Sequence, residues 1–260
     1  MSEPLADWPR KYYQPDAGDA LIFFVVFGKF GEIGPVSQSS YRCAAIPETV
    51  DMQEYKTEVH LQVLNSFREG LLWDLEKEKL GTLREKIEQA PECIVIRGEI
   101  PDPSSLNYLR DVVGLSTYLL DHGGCAIYDP QRLKYWSPSE WHSMIFEPGH
   151  AVPLAHSIIL VSEEANKTKW FHTRGLRKFG RADLSVHRVP ADADTAVHEL
   201  INRFIVFQAE GGVITEGQEI KMKSLPSGLR CHITGDLDDP DFNNIHVEIG
   251  VRDSDGPFGF

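Results

Sequence analysis

The run Leu21-Ile22-Phe23-Phe24-Val25-Val26-Phe27 contains no polar side chain and stops at Gly28. An unbroken series of aromatic and β-branched residues favours a strand. Successive strand side chains point to opposite faces, so a strand apolar at every position has to be covered on both. This requirement constrains the chain more than any other feature, because it places the segment centrally in a sheet and inside a layered core. At seven residues the run is far shorter than the roughly 20 that a membrane span needs. The first fifteen residues, Met1 to Pro15, have no net charge and no apolar core, unlike a secretory leader. A cytoplasmic address is therefore expected.

Two further stretches share one order of events. Cys93 to Ile100 reads as a strand closed by Pro101-Asp102-Pro103. Ser104 or Ser105 then caps a helix with Leu106, Leu109, Val112, Val113 and Leu120 on one face, ending at Gly123-Gly124. Leu184 to Val189 reads as a strand reaching Pro190. Asp192 or Asp194 caps a helix bearing Val197, Leu200, Ile201, Phe204 and Phe207, and Gly211-Gly212 ends it. The near-equal spacing from Pro to Gly-Gly is what a duplicated unit would leave. Side-chain identity between the two is slight, however, and unrelated strand–helix–strand units share the same punctuation. The turn-rich stretch Glu147-Pro148-Gly149-His150-Ala151-Val152-Pro153 divides the chain into halves at 1–150 and 151–260. Apolar positions every four residues, at Tyr55, Val59, Val63, Phe67, Leu71 and Leu75, predict the longest helix over Met52 to Lys79, with Gly81 as its stop. Strands are expected at Ser157–Ser162, Lys169–Arg174, Ile214–Met222, Arg230–Thr234 and Ile245–Val251. The fold class that follows is α+β, each half a mainly antiparallel sheet with a packed helix.

The charge is unevenly placed. The chain of 260 residues carries 39 acids against 26 Lys and Arg, a net −13. The segment from Lys167 to Arg188 alone holds +6, which leaves −19 on the remainder. So acidic a body opposes phosphate backbones and argues against nucleic acid as a partner. Within the basic island, an extended Lys169–Arg174 puts Trp170, His172 and Arg174 on one face. Gly175 and Gly180 bracket a turn carrying Arg177 and Lys178, followed by Arg181. Trp170, His172, Arg174, Arg177, Lys178 and Arg181 are thus the candidate contact residues. They would serve an anionic ligand or a partner; alternatively, Trp170 is core and the arginines pair with carboxylates. The same stretch resembles a segment of bacterial α+β proteins in which Trp-x-His-Thr-x-Gly is followed by Phe-Gly and an acidic-Leu pair. Trp170, His172, Thr173, Gly175, Phe179, Gly180, Asp183 and Leu184 carry the pattern here. The resemblance implies a shared fold and no activity.

Known catalytic and metal motifs are incomplete. Cys43, Cys93, Cys125 and Cys231 lie too far apart for a Cys-x-x-Cys site and suit buried, reduced thiols. His232-Ile233-Thr234 supplies one of the two His-x-Ser/Thr strands that a two-histidine phosphoesterase requires, and no second copy exists. Asp236 to Asn244 is rich in oxygen ligands but fails calcium-loop spacing. His142, His150 and His156 lack the helical pairing of a zinc site. Gly28, Gly31 and Gly34 do not complete a phosphate loop. Trp136 and Trp141 flank a helix-start signal at Ser137 or Ser139 and are expected in the core. Neither a cofactor nor a metal is expected.

Function follows by charge. An acidic protein without a catalytic constellation is expected to work by binding a protein, a role that includes neutralising a cationic partner such as a toxin in the manner of an immunity protein. The rival expectation is an enzyme or sensor for a small phosphorylated or carboxylated ligand held by His172, Arg174 and Arg177. The two place the contact on opposite charges.

Overall fold

The computed structural model describes residues 5–15 and 18–260. The chain forms two compact units. The first comprises the residues up to Pro9 with Leu21–Ile100 and Ser105–Val152; the second comprises Arg10–Ala20, Pro101–Ser104 and Pro153–Phe260. The main division thus falls at Val152 and Pro153, in the turn-rich stretch. Two short segments from the first half of the sequence belong to the second unit.

The first unit contains β1 (Ala20–Gly28), α1 (Gln38–Tyr41), β2 (Val50–Lys56), α2 (Thr57–Ser66), α3 (Leu71–Glu76), α4 (Thr82–Gln89), β3 (Glu92–Ile100), α5 (Asn107–Asp121), β4 (Gly124–Asp129), β5 (Lys134–Trp136) and α6 (Pro138–Trp141). Its sheet runs β2-β3-β1-β4-β5, with β1 in the middle as its composition demands. Val25, Phe27, Cys93, Val95 and Ala126 pack with Leu64, Trp73, Leu83 and Ile87 from α2, α3 and α4. On the alternate positions of β1, Phe24 meets Trp141 edge-on at 5.6 Å, and the Trp141 indole donates to Thr117 Oγ1 of α5 at 2.9 Å. Both faces of β1 are covered, and Trp136 and Trp141 are core residues.

The long helix expected over Met52 to Lys79 does not form. Val50 to Lys56 is an antiparallel partner of β3, with Met52 opposite Ile96 and Tyr55 opposite Cys93. Gly70 then breaks the chain at φ +90° between α2 and α3. A repeat of four residues drifts about 40° per turn against a helix of 3.6, so six such positions spiral round the axis and make no single stripe. Val59, Leu71 and Leu75 are accordingly exposed.

The second unit contains α7 (Pro153–His156), β6 (Ile158–Glu163), β7 (Lys169–Arg174), β8 (Asp183–Val189), α8 (Asp194–Ala209), β9 (Arg230–Thr234) and β10 (His246–Gly250). Its sheet runs β6-β7-β8-β10-β9; β8 and β10 are parallel and the other described pairs antiparallel. The architecture is α+β in two halves. Each long helix joins strands of one sheet across one intervening strand: α5 links β3 to β4 around β1, and α8 links β8 to β9 around β10. The return paths differ, because β4 starts directly after α5 whereas residues 210–229 separate α8 from β9. Ile214 to Met222 forms no regular strand; it lies along β9 with one isolated bridge, Glu219 to Arg230, and main-chain bonds from Gly217 N–H to the Cys231 carbonyl and from Cys231 N–H to the Gln218 carbonyl. The N-caps of α5 and α8 are Leu106 and Ala193, which make no side-chain cap bond, while the expected Ser105 accepts the Asn107 amide of the first turn of α5 at 3.4 Å. Among the described residues no helix is long and apolar enough to cross a membrane.

Candidate functional site

The alternation along β7 divides its side chains as the period of two requires. Lys169 pairs with Asp194 of α8, and Phe171 meets His198 of α8 edge-on at 5.4 Å, so these residues face the helix. Trp170 and His172 project from the opposite face. There the Trp170 indole donates to Ser185 Oγ of β8 at 2.8 Å, and two imidazoles stack on it, His172 at 4.0 Å and His187 at 4.9 Å. Parallel pairing of β8 with β10 sets Glu248 beside Ser185 on this face, and antiparallel pairing sets His232 beside Glu248 and Thr234 beside His246. Four neighbouring strands each contribute one histidine to the row: His172, His187, His246 and His232.

Carboxylates and rings fix these imidazoles. His187 Nδ1 donates to Glu164 Oε1 at 2.7 Å, and its Nε2 lies 3.7 Å from Glu248 Oε1. The same Glu248 oxygen accepts from His246 Nε2 at 3.2 Å, so one carboxylate serves two strands. His232 Nδ1 donates to Glu216 Oε1 at 2.9 Å. Phe242 stacks on His246 at 4.0 Å and stands edge-on to His172 at 5.7 Å. Gly235, at φ +71°, allows the β9–β10 connection to close over this cluster; a Cβ there would lie 2.6 Å from His246 Nδ1.

The rest of the basic island lies alongside, and Arg174, Arg177, Lys178 and Arg181 each donate to main-chain carbonyls. Arg174 Nη1 donates to the Asp241 carbonyl at 2.8 Å and Arg177 Nη1 to that of Asn243 at 2.9 Å, tying down the loop that carries Phe242. Lys178 is fully buried and donates to the His156 carbonyl at 2.9 Å. Arg181 is also buried; its guanidinium reaches the carbonyls of Gly180, Gly211 and Gly212 at 2.7, 2.8 and 3.1 Å. Trp170 and His172 therefore share a face as the alternation predicts, whereas Lys178 and Arg181 lie in the interior. A guanidinium has five donors and no acceptor, so an interior lined by helix-end and turn carbonyls is well satisfied by one. Arg181 also lies 3.9 Å from the Asp102 carboxylate.

Beside the row, Glu216, His232, Thr234, His246, Glu248, Arg252, Asp253 and Phe260 line a cleft of about 580 Å³. The main chain of the C-terminal residues returns to β10, with Val251 N–H on the Phe258 carbonyl and Asp253 N–H on the Phe260 carbonyl. This places the Phe260 ring 5.4 Å from His232. Glu216 Oε2 accepts the Ile233 amide at 2.7 Å, and that bond, followed by the His232 contact, holds its carboxyl below the usual range. Glu248 is 7% exposed, and its Oε2 has no hydrogen-bond partner.

Two buried groups near the row are shifted. Burial first, and the Arg174 charge second, bring His172 down to about 4, so its imidazole is neutral at pH 7. Burial raises Asp183 to about 6, against bonds from Asn244, Thr173 and the Leu176 amide that pull it down. Among the described residues no group of three or more His, Cys, Asp or Glu side chains is arranged to hold a metal ion. Cys43, Cys93 and Cys231 are buried free thiols, and burial pushes them up to about 11, 12 and 12.

The sequence signals the row only weakly. His232-x-Thr234, His246-x-Glu248, Trp170-x-His172 and Ser185-x-His187 each place two side chains on one strand face. Which strands stand together depends on register across residues far apart in the chain, and Glu216, Glu248 and Phe260 join only through that register. Set against family models, curated proteins and solved structures, the chain matches none of them.

Proposed function

We propose that this chain is a non-catalytic binding protein for a cationic protein partner, and that it presents the face of the second sheet opposite α8. The observation that carries this reading is the disposition of charge around the basic island. Its arginines and Lys178 bond main-chain carbonyls, while the adjoining cleft offers Glu216, Glu248 and Asp253 against the single cation Arg252. The cleft therefore carries a negative excess of carboxylates, in keeping with the net −13 of the chain. Neutralisation of a basic toxin is one role of this kind. The rival, a small anionic ligand at Arg174 and Arg177, would have to compete with the carbonyls of Asp241 and Asn243 for the same donors.

Panning a random peptide library against the intact protein at roughly 150 mM salt, where unpaired surface charges are largely screened beyond about 8 Å, tests the reading. Selection of sequences enriched in Arg and Lys is the expected result. Selection of acidic sequences, or stabilisation by inorganic phosphate and small carboxylates in a thermal shift assay, would overturn it in favour of the anion site.

A further inference from the structure

Resting on that reading, we infer that the cleft between β9, β10 and the C-terminal residues is a receptor for one guanidinium group, an arginine side chain of the partner. Three features of the cleft point to this group. The first is its hydrogen-bond character. Glu216 Oε1 meets His232 Nδ1 at 2.9 Å and Glu248 Oε1 meets His246 Nε2 at 3.2 Å, so each imidazole is held by a carboxylate of the cleft. The carboxylates of Glu216, Glu248 and Asp253, which only accept, outnumber the guanidinium of Arg252 among the lining side chains. A ligand that satisfies them must be rich in donors, and guanidinium, with five N–H groups and no acceptor, is the side chain best matched.

The second feature is Glu248 itself. It is more than nine-tenths buried, lines the cleft, and leaves Oε2 without a partner although Oε1 serves His246 and approaches His187. An unmatched carboxylate oxygen in a buried setting is costly, and a charge-assisted bond is the strongest way to satisfy it. The third feature is the Phe260 ring beside His232. Planar guanidinium stacks on aromatic faces while its edge binds carboxylates, which a compact ammonium does less well. Arg252 opposes a cation. On carboxylates and guanidinium alone, three acids against Arg252 leave two negative charges.

The blocked tripeptide acetyl-Gly-Arg-Gly-amide is the probe, with its lysine and citrulline counterparts as controls, and the ring protons of His232 and His246 observed by NMR are the reporter. The arginine peptide should shift both resonances saturably, the lysine peptide should bind several-fold more weakly, and neutral citrulline should produce no saturable shift. Glu216→Gln and Glu248→Gln should each weaken the arginine peptide at least fivefold. Glu216 is exposed, so its variant tests the cleft even if Glu248→Gln perturbs folding. Equal shifts from arginine and citrulline peptides would overturn the assignment, as would unchanged affinity in a natively folded Glu216→Gln protein. Arginine-rich library peptides that bind both variants as tightly as the parent protein would remove the cleft and leave the cationic-partner reading standing. A parent protein that binds the tripeptide but selects no basic sequences would do the reverse.

Discussion

Burial moves His172 and Asp183 in opposite directions on the pH scale, and the two shifts overlap. His172 titrates near 4 in the folded chain against an ordinary value near 6.5, so the unfolded chain takes up that proton first. Its contribution to stability is complete above pH 6.5 and is lost as pH falls through 4. Asp183 titrates near 6 when folded against 3.8, so the folded chain takes up that proton first. Its contribution is complete below pH 3.8 and is lost as pH rises through 6. Between pH 4 and 6 the two slopes nearly cancel, each worth about 3 kcal/mol over its full range. Removing one group should expose the other. Asp183→Asn is expected to lose stability steeply from pH 6.5 to 4, and His172→Gln to gain it over that interval, as read from urea midpoints at a series of pH values. If both variants follow the slope of the parent protein, the two groups are not shifted as their burial implies.

Individual elements differ in how much of their formation is local. The α6 start is local: Ser137 Oγ accepts the Glu140 amide at 3.2 Å, Glu140 Oε2 accepts the Ser137 amide at 3.0 Å, and Pro138 opens the helix. Ser137→Ala should therefore cost about 1 kcal/mol. Trp141→Phe should cost more than the lost indole area alone, because Thr117 Oγ1 loses its donor in the interior. Chemical denaturation of the two variants would check that order, and a Ser137→Ala protein indistinguishable from the parent would show the cap to be idle. The elements legible in the sequence are of this local kind. β1 follows from an unbroken apolar run, β7 and β8 from short β-branched or aromatic runs, and α5 and α8 from a stripe of true helical period ending at Gly-Gly. The misread elements are those decided elsewhere in the chain. Met52 to Lys56 is a strand because β3 offers it a register, and Ile214 to Met222 is irregular although its composition suits a strand. The candidate site divides in the same way. Alternation alone put Trp170 and His172 on one face, but the carbonyls that occupy Lys178 and Arg181, and the meeting of His232 with Glu248, arise from pairings that no single segment encodes.

Over the whole molecule, the excess of 13 negative charges should act on stability and on binding with opposite salt dependence. Like charges on one body repel, which weakens the compact state, and added salt screens that repulsion. Salt also weakens the attraction of favourable ion pairs. The balance is decided by their number and exposure. The pairs Lys77–Asp74, Lys79–Glu76, Arg84–Glu78, Arg84–Glu88 and Arg203–Glu199 lie largely at the surface, where each contributes 0 to about 1 kcal/mol. The buried cations Arg181 and Lys178 bond carbonyls at short range, Arg181 also approaches Asp102 at 3.9 Å, and salt screens such buried contacts little. Repulsion should therefore dominate, and Tm should rise by a few degrees between about 10 and about 500 mM sodium chloride. Affinity for a basic partner should fall over the same range, chiefly through a slower association rate, because steering by the acidic field is what the salt removes. Calorimetry and stopped-flow mixing in matched buffers read the two effects separately. A Tm that falls with salt would assign the excess acid to structural ion pairing, and the surplus charge would then no longer support a cationic partner.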